Sequence, residues 1–243
     1  MSKTAVLLLL FNRPKYTEKL IAEVQKYSPT RIYIHCDGPR KGNKRDKKKC
    51  IEVKKIINKM VDWKCKKKII YQKKNLGLKE AVIHGIDFFF KNEKRGIILE
   101  DSILPSRSFF LFCNKLLEKY KNSNNVSLIS GWNPISDCKI KESYTFSELP
   151  KIWGWATWRR SWLLFDRKMK KWPKQKKNKW MKYKLKKPFF FRFYWEKIFQ
   201  DTFSNKTNTW DYNLVYSNWL SNKISIVPKC NLVINQDIDS KEL

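Results

Sequence analysis

At 243 residues, with 42% hydrophobic and 15% aromatic content, the chain can form one domain of ordinary to large size around a sizeable core, and its aromatics exclude a largely disordered polypeptide. Its formal net charge is +31, from 53 basic and 22 acidic residues, and such a surface attracts anionic lipids, nucleic acids and phosphorylated substrates. Of the basic residues 43 are lysine and 10 arginine, an excess that an AT-biased coding composition would also produce.

The start, MSKTAVLLLLFNRP, has an aliphatic run of seven residues, Ala5 to Phe11. A membrane-spanning helix needs about 20, and no small-residue cleavage site follows, so the run reads as a buried first strand. PKYTEKLIAEVQKY reads as a helix with Leu20, Ile21 and Val24 on one face. RIYIHCDGP is a second strand ending at Asp37, and KKKCIEVKKIINKMVDW a second helix. KKIIYQ is a third strand, GLKEAVIHGIDFFFKN a third helix and GIILED a fourth strand. SRSFFLFCNKLLEKY is a fourth helix and VSLISGWNP a further strand. This alternation predicts an α/β doubly wound domain through about residue 135, with a mostly parallel sheet covered by helices on both faces.

The second half, 136–243, is Trp-rich and basic, without clear alternation. Residues 167–187 hold 12 basic residues and no acidic one, and PFFFRFYW follows directly. WDYNLVYSNWLSNK suits a helix and ISIVPKCNLV a strand. There is no internal repeat. The six cysteines (36, 50, 65, 113, 138 and 230) form no CxxC pair, and the only histidines are His35 and His84. These counts argue against a zinc site and a disulfide framework and fit a reducing cytoplasm.

In open parallel sheets ligands bind at the carboxyl ends of the strands. Strand one ends in Phe11-Asn12-Arg13-Pro14, strand two in Asp37-Gly38-Pro39-Arg40, strand three runs into Asn75-Leu76-Gly77-Leu78, and strand four ends in Glu100-Asp101-Ser102. An arginine, an asparagine and several carboxylates along one edge suit a nucleoside diphosphate. Arg13 can pair with phosphate, Asp37 can bond a base or ribose, and Asp101 can bond ribose or hold a divalent cation. Singly, each has a plainer reading as a helix cap or turn; their joint occurrence at matching strand ends favours a site. No GxGxxG, no GxxxxGK[ST] and no nucleophile-elbow setting occurs, which disfavours Rossmann dehydrogenases, P-loop enzymes and hydrolase triads.

LLLLFNRPKYTEKLI, YIHCDGPR, NLGLKEAVIHGIDFFF and ILEDSILPSRSFFLFCNKLLEKY resemble the core of a GT-A (Rossmann-like) nucleotide-diphospho-sugar glycosyltransferase. The resemblance is to bacterial and viral relatives of the N-acetylglucosaminyltransferases with a Glu-Asp-Asp form of the DxD motif. ISGWNP, YTFSELPKIWGWATWRRSW and TWDYNLVYSNWLSNKISIVPKCNLV continue it, so it covers about residues 4–235.

The resemblance implies a single GT-A domain over 1–243, with 1–135 the nucleotide-sugar half and 136–243 the acceptor half. It implies an inverting transfer of a sugar from a UDP-sugar donor to a glycan, or lipid-linked glycan, hydroxyl. Phe11, Asn12, Arg13, Asp37, Asn75, Lys79, Glu100 and Asp101 would contact the donor, and Asp211, in Trp210-Asp211-Tyr212, would be the general base. Asp101 and Ser102 would lie at a divalent cation, Mn2+ or Mg2+. Ser102 stands where the family has its third, metal-ligating acid, and a neutral hydroxyl is a weak ligand for such a hard cation. Three arrangements stay open: Asp101 alone holds the metal, lysines replace it, or the enzyme is impaired.

Adjacent carboxylates ending a buried strand are costly unless they meet a cation, a donor or solvent, and a nucleotide-sugar cleft supplies all three. The plainer reading is that Glu100 and Asp101 cap the next helix, with Pro105 in its first turn. Trp153, Gly154 and Trp155 are expected to border the acceptor, since indole faces stack on sugars, while Trp158 and Trp162 read at least as well as core. Segment 167–195 reads either as a solvated face or as a patch for an anionic membrane surface at the inner face. The alternatives are a nucleic-acid-binding protein, which the scarcity of arginine and the strand-end acids disfavour, and a GT-A fold retained for binding.

Overall fold

A computed structural model describes residues 3–135 and 141–239; Cys138 lies outside them. In chain order the elements are β1 (Val6–Leu10), α1 (Pro14–Tyr27), β2 (Arg31–Cys36), α2 (Lys44–Met60), β3 (Lys66–Tyr71), α3 (Leu78–Asn92), β4 (Arg95–Glu100), β5 (Ile103–Pro105), α4 (Arg107–Lys119) and β6 (Val126–Ser130). There follow β7 (Tyr144–Ser147), β8 (Trp155–Trp158), α5 (Arg159–Trp162), α6 (Trp172–Lys177), α7 (Trp180–Lys184), α8 (Phe189–Phe203), α9 (Asp211–Leu220), β9 (Ile224–Pro228), β10 (Val233–Asn235) and α10 (Gln236–Asp239).

Eight strands form one sheet in the order β3-β2-β1-β4-β8-β6-β9-β7. β3, β2, β1 and β4 are mutually parallel, and so are β6 and β9. β1 lies in the middle of the first group and is buried along its whole length, as a strand covered on both faces must be, so it reads as continuous Leu rather than an alternation.

Two features depart from the sequence reading. β8 inserts between β4 and β6, antiparallel to both. Its four residues, Trp-Ala-Thr-Trp, are all buried, with Ala156 and Trp158 in the cluster on one face of the sheet and Trp155 in the cluster on the other. β5 pairs with β10 as a small antiparallel ribbon, and the amide of Gln236 donates to the carbonyl of Ser102 at 2.9 Å. This ribbon draws the far end of the chain to the tip of β4.

Helices cover both faces. Leu20, Ile21 and Val24 of α1, Val53 and Ile57 of α2 and Phe109, Phe110 and Cys113 of α4 pack on one. Val82, Ile83, Ile86, Phe89 and Phe90 of α3 pack on the other with Trp162, Trp210 and Leu214. A third cluster, built from Met169, Trp172, Met181, Leu185, Trp195, Phe199, Tyr216 and Trp219, underlies the basic segment. Several of the tryptophans of the second half are therefore core. No helix among the described residues is long and apolar enough to cross a membrane.

The helix after β4 is not capped by Glu100 or Asp101. Ser106 is the N-cap of α4, and its hydroxyl accepts from the amide of Phe109 at 3.3 Å. Ser106→Ala should cost about 1 kcal/mol of stability, read as a lower denaturant midpoint with unchanged slope. The two acids are thereby left for another purpose.

Candidate active site

Glu100 and Asp101 close β4 at a small cavity of about 140 Å³, lined among others by Leu9, Phe11, His35 and Asp37. Burial pushes the Glu100 carboxyl up to about 7, with the charges of Asp101 and Asp211 adding to the push and Arg13 opposing it. Asp101 is pushed up to about 6 by burial, against the pull of Arg13 and of the amides of Phe11 and Ser102. Asp211 opens α9 and accepts from the hydroxyl of Thr209. The charge of Asp211 adds to the upward push on Glu100, although 110 residues separate the two in sequence.

Arg13 follows β1. Its guanidinium donates to Asp237 at 2.6 Å and lies 3.6 Å from Asp101, with Tyr16 beneath it at 5.6 Å. Asp237 is a site residue that sequence reasoning missed. Nothing local in NQDID marks it; the pairing of β10 with β5 delivers it.

Asp37 is buried and works as a clasp. It accepts from the amides of Gly38 and Leu76 and from the side-chain amide of Asn75, each at 2.8 Å. Burial raises its proton affinity and the backbone amides of Leu76, Gly38 and Gly77 lower it. Asn75 also donates to the carbonyl of Gly38 at 3.0 Å. A Cβ at position 38 would sit 2.6 Å from the backbone of Lys74, so the close approach of the loops after β2 and β3 requires glycine there. Asp37 and Asn75 are thus brought together, chiefly bonded to the protein itself.

Asn12 is engaged elsewhere than expected. Its amide donates to Asp46 at 2.7 Å, and Asp46 is also gripped by Arg40 at 2.5 Å, which holds its carboxyl down at about 2. This anchors the tip of β1 to the start of α2. Arg40 and Asp46 were also missed; the turn chemistry of DGPR gave no reason to expect an ion pair. Beside Asn75 lies a second cleft of about 640 Å³, lined by Arg40, Lys41, Lys44, Lys47, Lys73 and Lys74. Lys79, in the first turn of α3, is half-buried, and burial and neighbouring Arg167 lower its proton affinity.

The three acceptor-side candidates separate. Trp153 is half-buried, its ring centroid 4.2 Å from that of Trp132. Gly154 has φ +59, and a Cβ there would come within 2.8 Å of Val233, so it is the tight bend that admits the β5–β10 ribbon. Trp155 is 1% exposed and stacks 5.8 Å from Trp210. It offers no ring face to a sugar; it is the floor under the residue preceding Asp211.

Asp101 and Ser102 do not build a metal site. Among the described residues no three His, Cys, Asp or Glu side chains are grouped to hold a metal ion. The guanidinium of Arg13 already lies between Asp101 and Asp237, where a second cation would be repelled, and the Ser102 hydroxyl adds no charge. This donor set does not fit a protein-held divalent cation.

No protein-family model and no curated protein matches the sequence. Solved structures do. The crystal structure of GalNAc-T7 with UDP, GalNAc and Mn2+ aligns at TM-score 0.55 and 11% identity, covering 96% of this chain and 43% of that one, so this chain spans less than half of that relative. UDP-glucose pyrophosphorylase complexed with UDP-glucose aligns at TM-score 0.48 and 10% identity, covering 99% and 95%. At such identity the likeness to GalNAc-T7 is one of fold, and with the eight-stranded, mostly parallel, helix-flanked sheet it identifies the architecture as a Rossmann-like GT-A fold.

Proposed function

We propose that the protein is a glycosyltransferase that takes a sugar from a nucleoside diphosphate, a UDP-sugar, and passes it with inversion to a glycan hydroxyl. One observation supports the reading: the adjacent carboxyls Glu100 and Asp101 end β4 with the Arg13 guanidinium 3.6 Å from Asp101, and the charge of Asp211 adds to the upward push on Glu100. The fold relative crystallised with UDP and GalNAc supports the substrate class.

In this reading the acceptor hydroxyl oxygen forms a bond to the anomeric carbon and gives its proton to the Asp211 carboxylate. The bond from that carbon to the diphosphate oxygen breaks, and its electron pair leaves on the diphosphate. Arg13, 43% exposed along its side chain, and the lysines of the cleft beside Asn75 face that charge. Glu100 and Asp101, with their raised proton affinities, are suited to meet ribose and sugar hydroxyls at lower electrostatic cost than two full charges.

The test is thermal shift with a panel of UDP-sugars in EDTA and again with Mn2+, followed by mass spectrometry of the donors. Stabilisation by at least one UDP-sugar in EDTA, with release of UDP, is the expected result. No stabilisation by any of them overturns the reading. Binding without turnover, restored by Ser102→Asp with Mn2+, would instead mark a GT-A fold retained for binding.

A further inference from the structure

The segment from Lys168 to Lys187 carries 11 lysines and no acid. Among the described residues only Lys187 of these makes an ion pair, with Glu148 at 3.7 Å. A concentration of like charge without internal compensation is held at a cost in self-repulsion, and an anionic partner removes that cost.

Next to it the chain exposes apolar rings. Phe189 is 73% exposed, Phe190 74%, Phe193 61% and Tyr194 57%, and Tyr183 on α7 is 74% exposed. Phe189 and Phe193, one turn apart on α8, stack on each other at 6.1 Å. The opposite face of the same helix is anchored by Trp195 and Phe199 in the third core cluster. The outward rings are thus fixed on a rigid helix and not needed for packing. Between α7 and α8 runs a groove of about 490 Å³ that puts Lys176, Lys179, Lys182 and Arg192 around Trp180, Phe189 and Phe193, with Glu196 its one acid.

We propose that the first turns of α8, with the lysines of α6 and α7, form a docking surface for an anionic lipid bilayer. Phenylalanines enter the interfacial region, and lysines meet the headgroup phosphates. Charge complementarity and the apolar character of the tips select this occupant over a nucleic acid. The Phe189 and Phe193 rings are stacked on each other, which leaves no slot for a base between them, and the cations are almost all lysine, whereas base readout favours arginine. On its buried face α8 packs against the start of α9, the Trp195 ring 6.2 Å from that of Tyr212, so the outward rings are held on the side of the helix turned away from that contact. Docking itself does not depend on the proposed transfer chemistry.

The test is flotation of the full chain with phosphatidylcholine vesicles containing about 30% phosphatidylserine, and with pure phosphatidylcholine, near 0.1 M salt where charge is only partly screened. Binding to the anionic vesicles at least tenfold stronger than to the neutral ones is expected. Phe189→Ser, Phe190→Ser and Phe193→Ser combined should lower it at least tenfold with the thermal midpoint unchanged, because these side chains are exposed. Lys179→Gln, Lys182→Gln and Lys186→Gln combined should lower it similarly. The proposal is overturned by equal flotation with both vesicles, by none with either, or by indifference to the phenylalanine triple variant. It is also overturned if those phenylalanines are needed instead for binding an oligonucleotide, or for a dimer that forms without lipid.

Discussion

Asp211→Asn should lower sugar transfer by a factor of about 10² to 10⁴, the range a positioned general base contributes, while the donor affinity stays within about threefold. The variant keeps the shape of the side chain and an oxygen to accept from Thr209, so the start of α9 is retained. What it loses is the capacity to take the acceptor proton. Initial rates of UDP release, with water or added glycosides as acceptor, and calorimetric titration with the donor separate the two effects. Transfer at the native rate would remove Asp211 from the chemistry. A second readout is independent of turnover. Asp211 contributes to the upward shift of Glu100, so removing its charge should lower the Glu100 titration midpoint from about 7, as followed by carboxyl NMR. An unmoved midpoint would mean that the two groups do not share a pocket.

Glu100→Gln should stabilise the protein, by roughly 2–3 kcal/mol at pH 8, or about 5–10 °C in Tm. The Glu100 carboxyl binds its proton more tightly folded, at about 7, than at its ordinary value of 4.5. Above pH 7 the folded state carries a half-buried, crowded charge that the unfolded chain solvates freely. As pH falls from 7 towards 4.5 the folded state takes up the proton first, and the penalty disappears. The variant has no such charge, so its advantage should be full at pH 8 and vanish near pH 4.5. Asp101, pushed up to about 6, adds a penalty of the same sign that persists in both proteins. His35 acts in the opposite sense. Burial and His84 hold it down at about 4, so both proteins lose stability as pH falls from about 6.5 towards 4, and the comparison between them cancels this loss. Thermal unfolding of the pair across pH 4.5–8 is the measurement; a difference independent of pH would show that Glu100 is not a strained acid. Such a cost is what a carboxylate pair held for a ligand rather than for the fold is expected to carry.

The likeness to GalNAc-T7 does not extend the donor set to a metal. A guanidinium between two carboxylates is a fixed positive charge that needs no recruitment from solution. It would also make donor affinity depend on Arg13, which the EDTA arm of the binding test reads directly.

Elements with a strong local signal were legible in the residues alone. The helix at 14–27 appears with the bounds read from its sequence, because Leu20, Ile21 and Val24 repeat at helical spacing and Pro14 starts the turn. β1, β2 and β4 were legible as buried apolar runs and the edge strand β3 as a short Ile-Ile-Tyr run, and the polar residues following them marked the edge at which a site could lie. Local signals could not supply the rest. β5, β8 and β10 have three or four residues each, too few for a period to show, and their existence depends on partners far along the chain. Pairing of β10 with β5 puts Asp237 on Arg13, and Trp210, the residue before Asp211, stacks on Trp155 of β8, the strand beside β4. Asn12 carried the same polar signal as Arg13, yet it is spent on Asp46 at the start of α2. Sequence by itself therefore determined the α/β class, the main strands and helices and the acids at the tip of β4, since propensity and burial pattern act over a few residues. Only the tertiary structure decided which charges meet, because burial and Coulomb energy depend on distance in space rather than along the chain.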